Sequence, residues 1–318
     1  MKSKFILVAL IFVLGLSSFS FVSAKDNNGQ TNMRKPLFAS EMKIYHKASL
    51  TQGIGNTKTK PVNPPGLNKK KNSDSGATGV FGEPLADGAD KYAVIIGVCD
   101  YQGTINDICD SDGDALNMYD ALITFYGYDS GNIILLRDDN ATFSAIDSAV
   151  KSIESLESAG DEVVFFFSGH GGDGMAQDYD KERKDEAIIT HDLQYIWDGQ
   201  LQNWFSGFDT NRIVFIFDSC LSGGMNDVAS EGVMFVSASK ENQLAYVYST
   251  GVNGEGMFSH YFVNEAILQG LADFFDHDNN VAIQDVVIEE AFDYTRLNLP
   301  SIYQIPTIVD NFLDDLML

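Results

Sequence analysis

Five short apolar runs constrain this chain more than any other feature: "KYAVIIGV" (91–98), "NIILLR" (132–137), "EVVFFFS" (162–168), "RIVFIFD" (212–218) and "VMFVSA" (233–238). Each has the length of a β-strand. Each is continuously apolar rather than alternating, which is the pattern of a strand covered on both faces. Helix-like segments lie between them. "GDALNMYDALITFYG" (113–127) places Leu116, Tyr119, Leu122, Ile123 and Tyr126 on one helical stripe, and "FSAIDSAVKSIESL" (143–156) spaces Ile146, Val150 and Ile153 in the same way. A helical "FSHYFVNEAIL" (258–268) and a last strand "IPTIV" (305–309) follow. Strands alternating with helices predict an α/β fold: a mostly parallel sheet of about six strands with helices on both faces. With 318 residues, 44% of them hydrophobic, the chain can bury a full-sized core.

The N-terminal ninety residues do not share this pattern. Residues 1–24 run from Lys2 and Lys4 through "FILVALIFVLGL" to the small residues of "SSFSFVSA", the layout of a secretory signal cut near Ala24. An uncleaved anchor is the alternative, with Phe5 to Val22 barely long enough to span a bilayer. An exported or secreted protein is expected. Residues 25–90 are rich in Asn, Gly, Lys, Thr and Pro and read as a basic, flexible pro-segment or linker, leaving 91–318 as one folded domain.

Charge narrows the partners. The net charge is −24, yet 25–80 carry 10 Lys and Arg against 3 acids, whereas 81–318 carry 9 against 42. So acidic a body repels nucleic acid and favours cationic ligands or metal ions. The three cysteines, Cys99, Cys109 and Cys220, are too few for a disulfide framework, and no CxxC pair suggests a zinc site. Whether Cys99 and Cys109 pair stays open.

In open α/β sheets ligands sit at the carboxyl ends of the strands, and two of these ends are unusual. "FFFSGHGGDG" carries His170 and "FIFDSCLSGG" carries Cys220. Met singly, Cys220 would pass for a buried structural cysteine and His170 for a satisfied core histidine. Together they supply a thiol and a base, and the surrounding glycines let backbone N–H groups approach a developing oxyanion. Their separation of 50 positions is that of caspase-type proteases.

"YAVIIGVCDY", "GDALNM", "SGHGGDG" and "DSCLSGG", in this order, resemble the metacaspases within the caspase-like (clan CD, peptidase C14) cysteine peptidases, from about Tyr92 to the C-terminus. The resemblance implies the caspase-hemoglobinase α/β fold. It also implies His170 as general base and acid, Cys220 as nucleophile, and the N–H groups of Gly171 and Cys220 as the oxyanion hole. Metacaspases cut protein and peptide substrates after Arg or Lys (the P1 residue), because carboxylates line the S1 pocket. Asp218 and Asp114 match that role, with Ser168 as a third pocket member. Taken alone, Asp218 would be a strand-end cap and Asp114 a helix N-terminal acid. Clostripain- or legumain-type peptidases, including transpeptidases, and an inactive caspase-like binding domain are the alternatives. No cofactor is needed for the chemistry, and a monomer is expected.

Many metacaspases are activated by calcium, and the resemblance puts Asp185, Asp198 and Asp227 in range of an ion, although Gly199 stands where a second acid is usual. Ordinary surface acids are the other reading. "DHDNN" (276–280) begins like an EF-hand loop, but Val281 and Val287 replace its Gly and Glu, so it is expected to be a turn. "NKKKNS" (68–73) is a candidate for occupying the active site and being cut by the enzyme itself. His46, His191, His260 and His277 show no partner at ligand spacing and are expected to be structural or surface residues.

Overall fold

A computed structural model describes residues 39–49, 85–107, 111–178, 184–249, 254–275, 277, 285–313 and 315–318. The strands are β1 (Ala39–Tyr45), β2 (Ala48–Ser49), β3 (Lys91–Gly97), β4 (Ile133–Arg137), β5 (Glu162–Ser168), β6 (Gly171–Ala176), β7 (Asp185–Ile189), β8 (Tyr195–Trp197), β9 (Ile213–Asp218), β10 (Val233–Ser237), β11 (Tyr246–Ser249), β12 (Gly254–Gly256) and β13 (Thr307–Asp310). The helices are α1 (Ser111–Thr124), α2 (Phe143–Glu154), α3 (Asp198–Phe205), α4 (Met257–Ser259), which continues as a π-helix over His260–Leu268, and α5 (Ile288–Asn298). All of these elements lie in one compact unit, Phe38–Leu318.

The apolar runs form a six-stranded sheet in the order β13-β10-β9-β5-β3-β4. Its strands are parallel except β13, which pairs antiparallel with β10. Continuous apolar sequence does what was expected of it. In β5, Val164 and Phe166 enter one core, while Val163, Phe165 and Phe167 enter the other; β9 divides Val214 and Ile216 from Ile213, Phe215 and Phe217 in the same way. The π-helix, α1 and α5 cover the first face, and α2 and α3 the second. Each fully buried Phe contributes about 2–3 kcal/mol from apolar area alone.

The α1 stripe is turned from its expected position. Ala115, Met118, Ala121 and Leu122 are buried, whereas Leu116 and Tyr119 are half-buried and Ile123 is exposed. The reason is backbone proximity. A Cβ placed on Gly97 of β3 would stand 2.7 Å from Cβ of Ala115, so helix and strand pack through their small residues and the bulky ones are displaced sideways.

Two smaller sheets sit at the carboxyl edge of the large one. Strands β1-β6-β7-β8 form an antiparallel four-stranded sheet, and β12-β11-β2 form a three-stranded one. Both contain N-terminal chain. The stretch 25–90 was expected to be flexible linker, but within it 39–49 forms β1 and β2; 85–90 is described without strand or helix, and the rest lies outside the described residues. The apolar 1–24 segment, "NKKKNS", Cys109 and "DHDNN" apart from His277 also lie outside them. Among the described residues no helix is long and apolar enough to cross a membrane.

Candidate active site

The parallel register of β5 on β9 builds the site. Ser168 pairs with Asp218, an offset of 50, so His170 and Cys220, each two residues further along adjacent strands, leave the sheet side by side. Gly169 N–H donates to Asp218 O at 3.2 Å and ties the two loops together. Gly171 then passes so close to Cys220 that an added Cβ would stand 2.8 Å from the Cys220 carbonyl carbon and nearer still to its oxygen. Only glycine allows that approach, which brings the two backbone segments carrying the Gly171 and Cys220 N–H groups together. Cys220 is followed by Leu221 at φ 61°, a left-handed conformation that a leucine adopts only under constraint.

His170 and Cys220 are both buried. His170 stacks on Tyr101 with ring centroids 4.6 Å apart, its backbone N–H donates to the Tyr101 hydroxyl at 2.7 Å, and its ring Nε2 lies 2.7 Å from Asn106 O. Burial pushes its pKa down to about 3 despite the Asn106 bond. Cys220 Sγ accepts from Ala245 N–H at 3.3 Å and lies 3.8 Å from Ala245 O. Burial pushes the thiol up to about 11, with the Ala245 bond and the Lys47 charge opposing. Burial thus works against the charged form of both side chains.

Asp114, Ser168 and Asp218 meet in one buried pocket. Ser168 Oγ donates to Asp114 Oδ2 at 2.6 Å. Gly256 N–H donates to both Asp114 oxygens at 3.1 Å, while Ser259 N–H and Oγ–H donate to Asp218 Oδ2 at 3.0 and 2.7 Å. The pocket also holds a residue that the sequence did not suggest. Lys47 Nζ lies 2.9 Å from Asp218 Oδ1, 3.9 Å from Asp114 Oδ2 and 3.0 Å from Ser168 Oγ, its side chain wholly buried. Burial raises the Asp114 pKa; Lys47 pulls it back and Asp218 pushes it up again, leaving a net rise. Gly256, Ser259 and Lys47 were not legible because nothing in their local sequence marks them. The signal that existed was general: an acidic pocket needs a cation.

The predicted metal residues separate. Carboxylate oxygens of Asp185 and Asp198, both fully buried, lie within 4.8 Å of one another together with one from Asp178, which sequence reasoning missed. Asp227 is not in that group. It is half-buried, and its backbone oxygen accepts from Gln202. Three buried carboxylates at this spacing match the oxygen-rich shell of a hard cation with metal–oxygen distances of about 2.3–2.6 Å.

Of the remaining histidines, His46 lies edge-on against His170, ring centroids 4.3 Å apart. His191 Nδ1 is 2.5 Å from Asp100 O. His260 pairs with Glu255 and Glu265, and His277 with Asp315 and Asp293. All but His46 serve local structure as expected; His46 covers the candidate base.

An α/β sandwich with His and Cys at adjacent strand ends over an acidic pocket defines a caspase-like cysteine-peptidase scaffold. Residues 91–229 match the family described as "Metacaspase, peptidase C14 domain". Relatives include Metacaspase-4 of Arabidopsis thaliana, 31% identical over 151 residues that cover 45% of this chain and 36% of that protein. Metacaspase-1 of Kluyveromyces lactis is 28% identical over 150 residues, covering 43% and 34%. The chain thus spans little more than a third of either relative. The crystal structure of protein GSU0716 from Geobacter sulfurreducens is similar in fold, with a TM-score of 0.52 and 15% identity over 69% of this chain and 92% of that one.

Proposed function

We propose that this chain is an exported endopeptidase that cuts protein or peptide chains after Lys or Arg, by Cys220–His170 chemistry, with calcium as activator. The observation that carries the specificity is the Lys47 ammonium, desolvated and held by Asp218, Asp114 and Ser168. A buried cation is tolerated only where paired oxygens replace its water, so the pocket is complementary to a basic side chain and repels an acidic one.

In the proposed reaction His170 takes the Cys220 proton and the thiolate attacks the carbonyl carbon of the P1 residue. The oxyanion is stabilised by the N–H groups of Gly171 and Cys220. His170 then protonates the leaving amine, and water, deprotonated by the same imidazole, releases the acyl group. Asp178, Asp185 and Asp198 would hold the calcium ion, whose charge offsets three converging carboxylates and steadies β7 and α3. The chain is made latent, acts as a monomer and is matured by its own cut in the basic 25–90 stretch. Hydrolysis of an Arg-P1 fluorogenic peptide, with and without millimolar calcium and beside Cys220→Ala, tests this. Asp-P1 cleavage faster than Arg-P1, or a calcium response that is flat, counts against it; an N-terminus that is the same in wild type and Cys220→Ala excludes self-processing.

A further inference from the structure

Asp114 and Asp218 take backbone hydrogen bonds from one short stretch, Gly256 to Ser259, at the end of β12 and in α4. The stretch is pressed onto both carboxylates: a Cβ added to Gly256 would stand 2.8 Å from Asp114 Oδ2 and nearer still to Asp218 Oδ2. What fixes its position lies immediately outside it. Glu255 precedes the stretch and His260 follows it, and Glu255 Oε1 lies 2.5 Å from His260 Nδ1. This bridge ties the four residues between them into a closed loop. The other imidazole nitrogen, Nε2, lies 3.4 Å from Glu265 Oε1. Further contacts brace the pair. Glu255 Oε2 accepts from Asn264 Nδ2 at 3.1 Å, Glu265 Oε2 accepts from the Tyr294 hydroxyl of α5 at 2.8 Å, and Tyr248 of β11 stacks on the imidazole with ring centroids 4.7 Å apart.

Glu255, His260 and Glu265 stand five residues apart, a spacing with a structural consequence. On an α-helix, residues five apart point about 140° away from one another. The i→i+5 winding of a π-helix stacks them instead. His260–Leu268 has that winding, and just beyond it Gln269 N–H still bonds to Asn264 O, five residues earlier, at 3.1 Å. Rewinding to an α-helix would part His260 from Glu265. Segments of π-helix are rare and concentrate at functional sites, and this one supports a bridge that closes on the acidic pocket. We propose that His260 is a positioning residue for the P1 pocket: held between Glu255 and Glu265, it clamps residues 256–259 so that the Gly256 and Ser259 N–H groups keep Asp114 and Asp218 aimed at one basic side chain. The proposal rests on the reading of the Asp114–Asp218 pocket as the P1 site. Two carboxylates facing one cation repel each other, and donors on a braced backbone hold them at the productive spacing.

The test uses the full chain in the Lys47→Ala background, which removes the ammonium from the pocket. His260→Gln, Glu265→Gln and the milder Tyr294→Phe are compared on peptides with Arg or Ala at P1, and amide hydrogen exchange at Gly256 and Ser259 is followed by NMR. His260→Gln should raise KM for the Arg peptide about tenfold with kcat within about twofold, since charge-assisted bonds are lost, and leave the Ala peptide unchanged. Exchange at both amides should quicken at least about tenfold. Glu265→Gln should act in the same direction, the double variant no more strongly than His260→Gln, and Tyr294→Phe should raise KM for the Arg peptide about threefold. An effect of charge alone has the opposite sign, because Glu255 without its cation makes the pocket rim more negative. A fall in KM for the Arg peptide, a parallel loss on both peptides, or unchanged exchange at the two amides overturns the proposal. Faster exchange, with Arg and Ala peptides cleaved alike by the Lys47→Ala parent, leaves the clamp standing and removes the P1 reading. Unchanged exchange in a parent that prefers Arg does the reverse.

Discussion

Gly171→Ala probes the tightest backbone contact in the site. The new Cβ would stand 2.8 Å from the Cys220 carbonyl carbon and closer to its oxygen, where ordinary contacts are 3.4–4 Å. The His and Cys loops must therefore part by more than half an ångström. Overpacking of this kind costs about 1–3 kcal/mol of stability. The catalytic cost is larger, because the N–H groups of Gly171 and Cys220 can no longer converge on one oxygen. Loss of a single oxyanion donor lowers kcat by about 100- to 1,000-fold. In the Lys47→Ala background, which removes the ammonium from the acidic pocket, Gly171→Ala is expected to lower kcat/KM on an Arg-P1 peptide by at least about 100-fold, mostly through kcat, while the far-UV circular dichroism and a cooperative melt persist. A loss below about threefold with a native-like melt would refute the oxyanion assignment.

Other consequences follow from charge. Asp218→Asn keeps the shape of the pocket and its bonds to Ser259 but removes the negative charge nearest Lys47; in the Lys47→Ala background it should raise KM for Lys-P1 peptides about tenfold or more, measured against a neutral P1 control. Asp185→Asn should abolish a calcium-induced rise in melting temperature, read with the metal alone, and Asp227→Asn should leave most of it, since only the former belongs to the buried triad. Burial alone would lower the His260 pKa, but Glu255 and Glu265 outweigh it and hold it at about 9. A raised folded value means that this stabilisation is complete below pH 6.5 and is lost as pH climbs to 9, a swing of at most about 3 kcal/mol. Urea titrations should show the decline in wild type and a flatter profile in His260→Gln.

The large sheet was legible because its strands are apolar on both faces, a pattern that leaves few alternatives. His170 and Cys220 were legible because their glycine-flanked loops end strands whose register carries the same 50-residue offset. The α1 face was misplaced because size was taken as the guide to burial, whereas close packing through Gly97 and Ala115 decides it. Lys47 was hidden for a different reason. Its neighbours look like linker, and only the tertiary pairing of β1 with β6 and β2 with β11 carries it to the pocket. Asp178 escaped notice because its partners Asp185 and Asp198 are reached through β7 and α3, not through any spacing readable along the chain.

The most direct measurement is a comparison of otherwise identical fluorogenic peptides bearing Arg, Lys, Asp or Ala at P1, hydrolysed by the calcium-supplemented Lys47→Ala chain and by its Cys220→Ala derivative. The account predicts cleavage of the Arg and Lys peptides at least about 100-fold faster than of the Asp peptide, and none by the derivative. Equal rates on all four peptides, or activity that survives loss of Cys220, would contradict it.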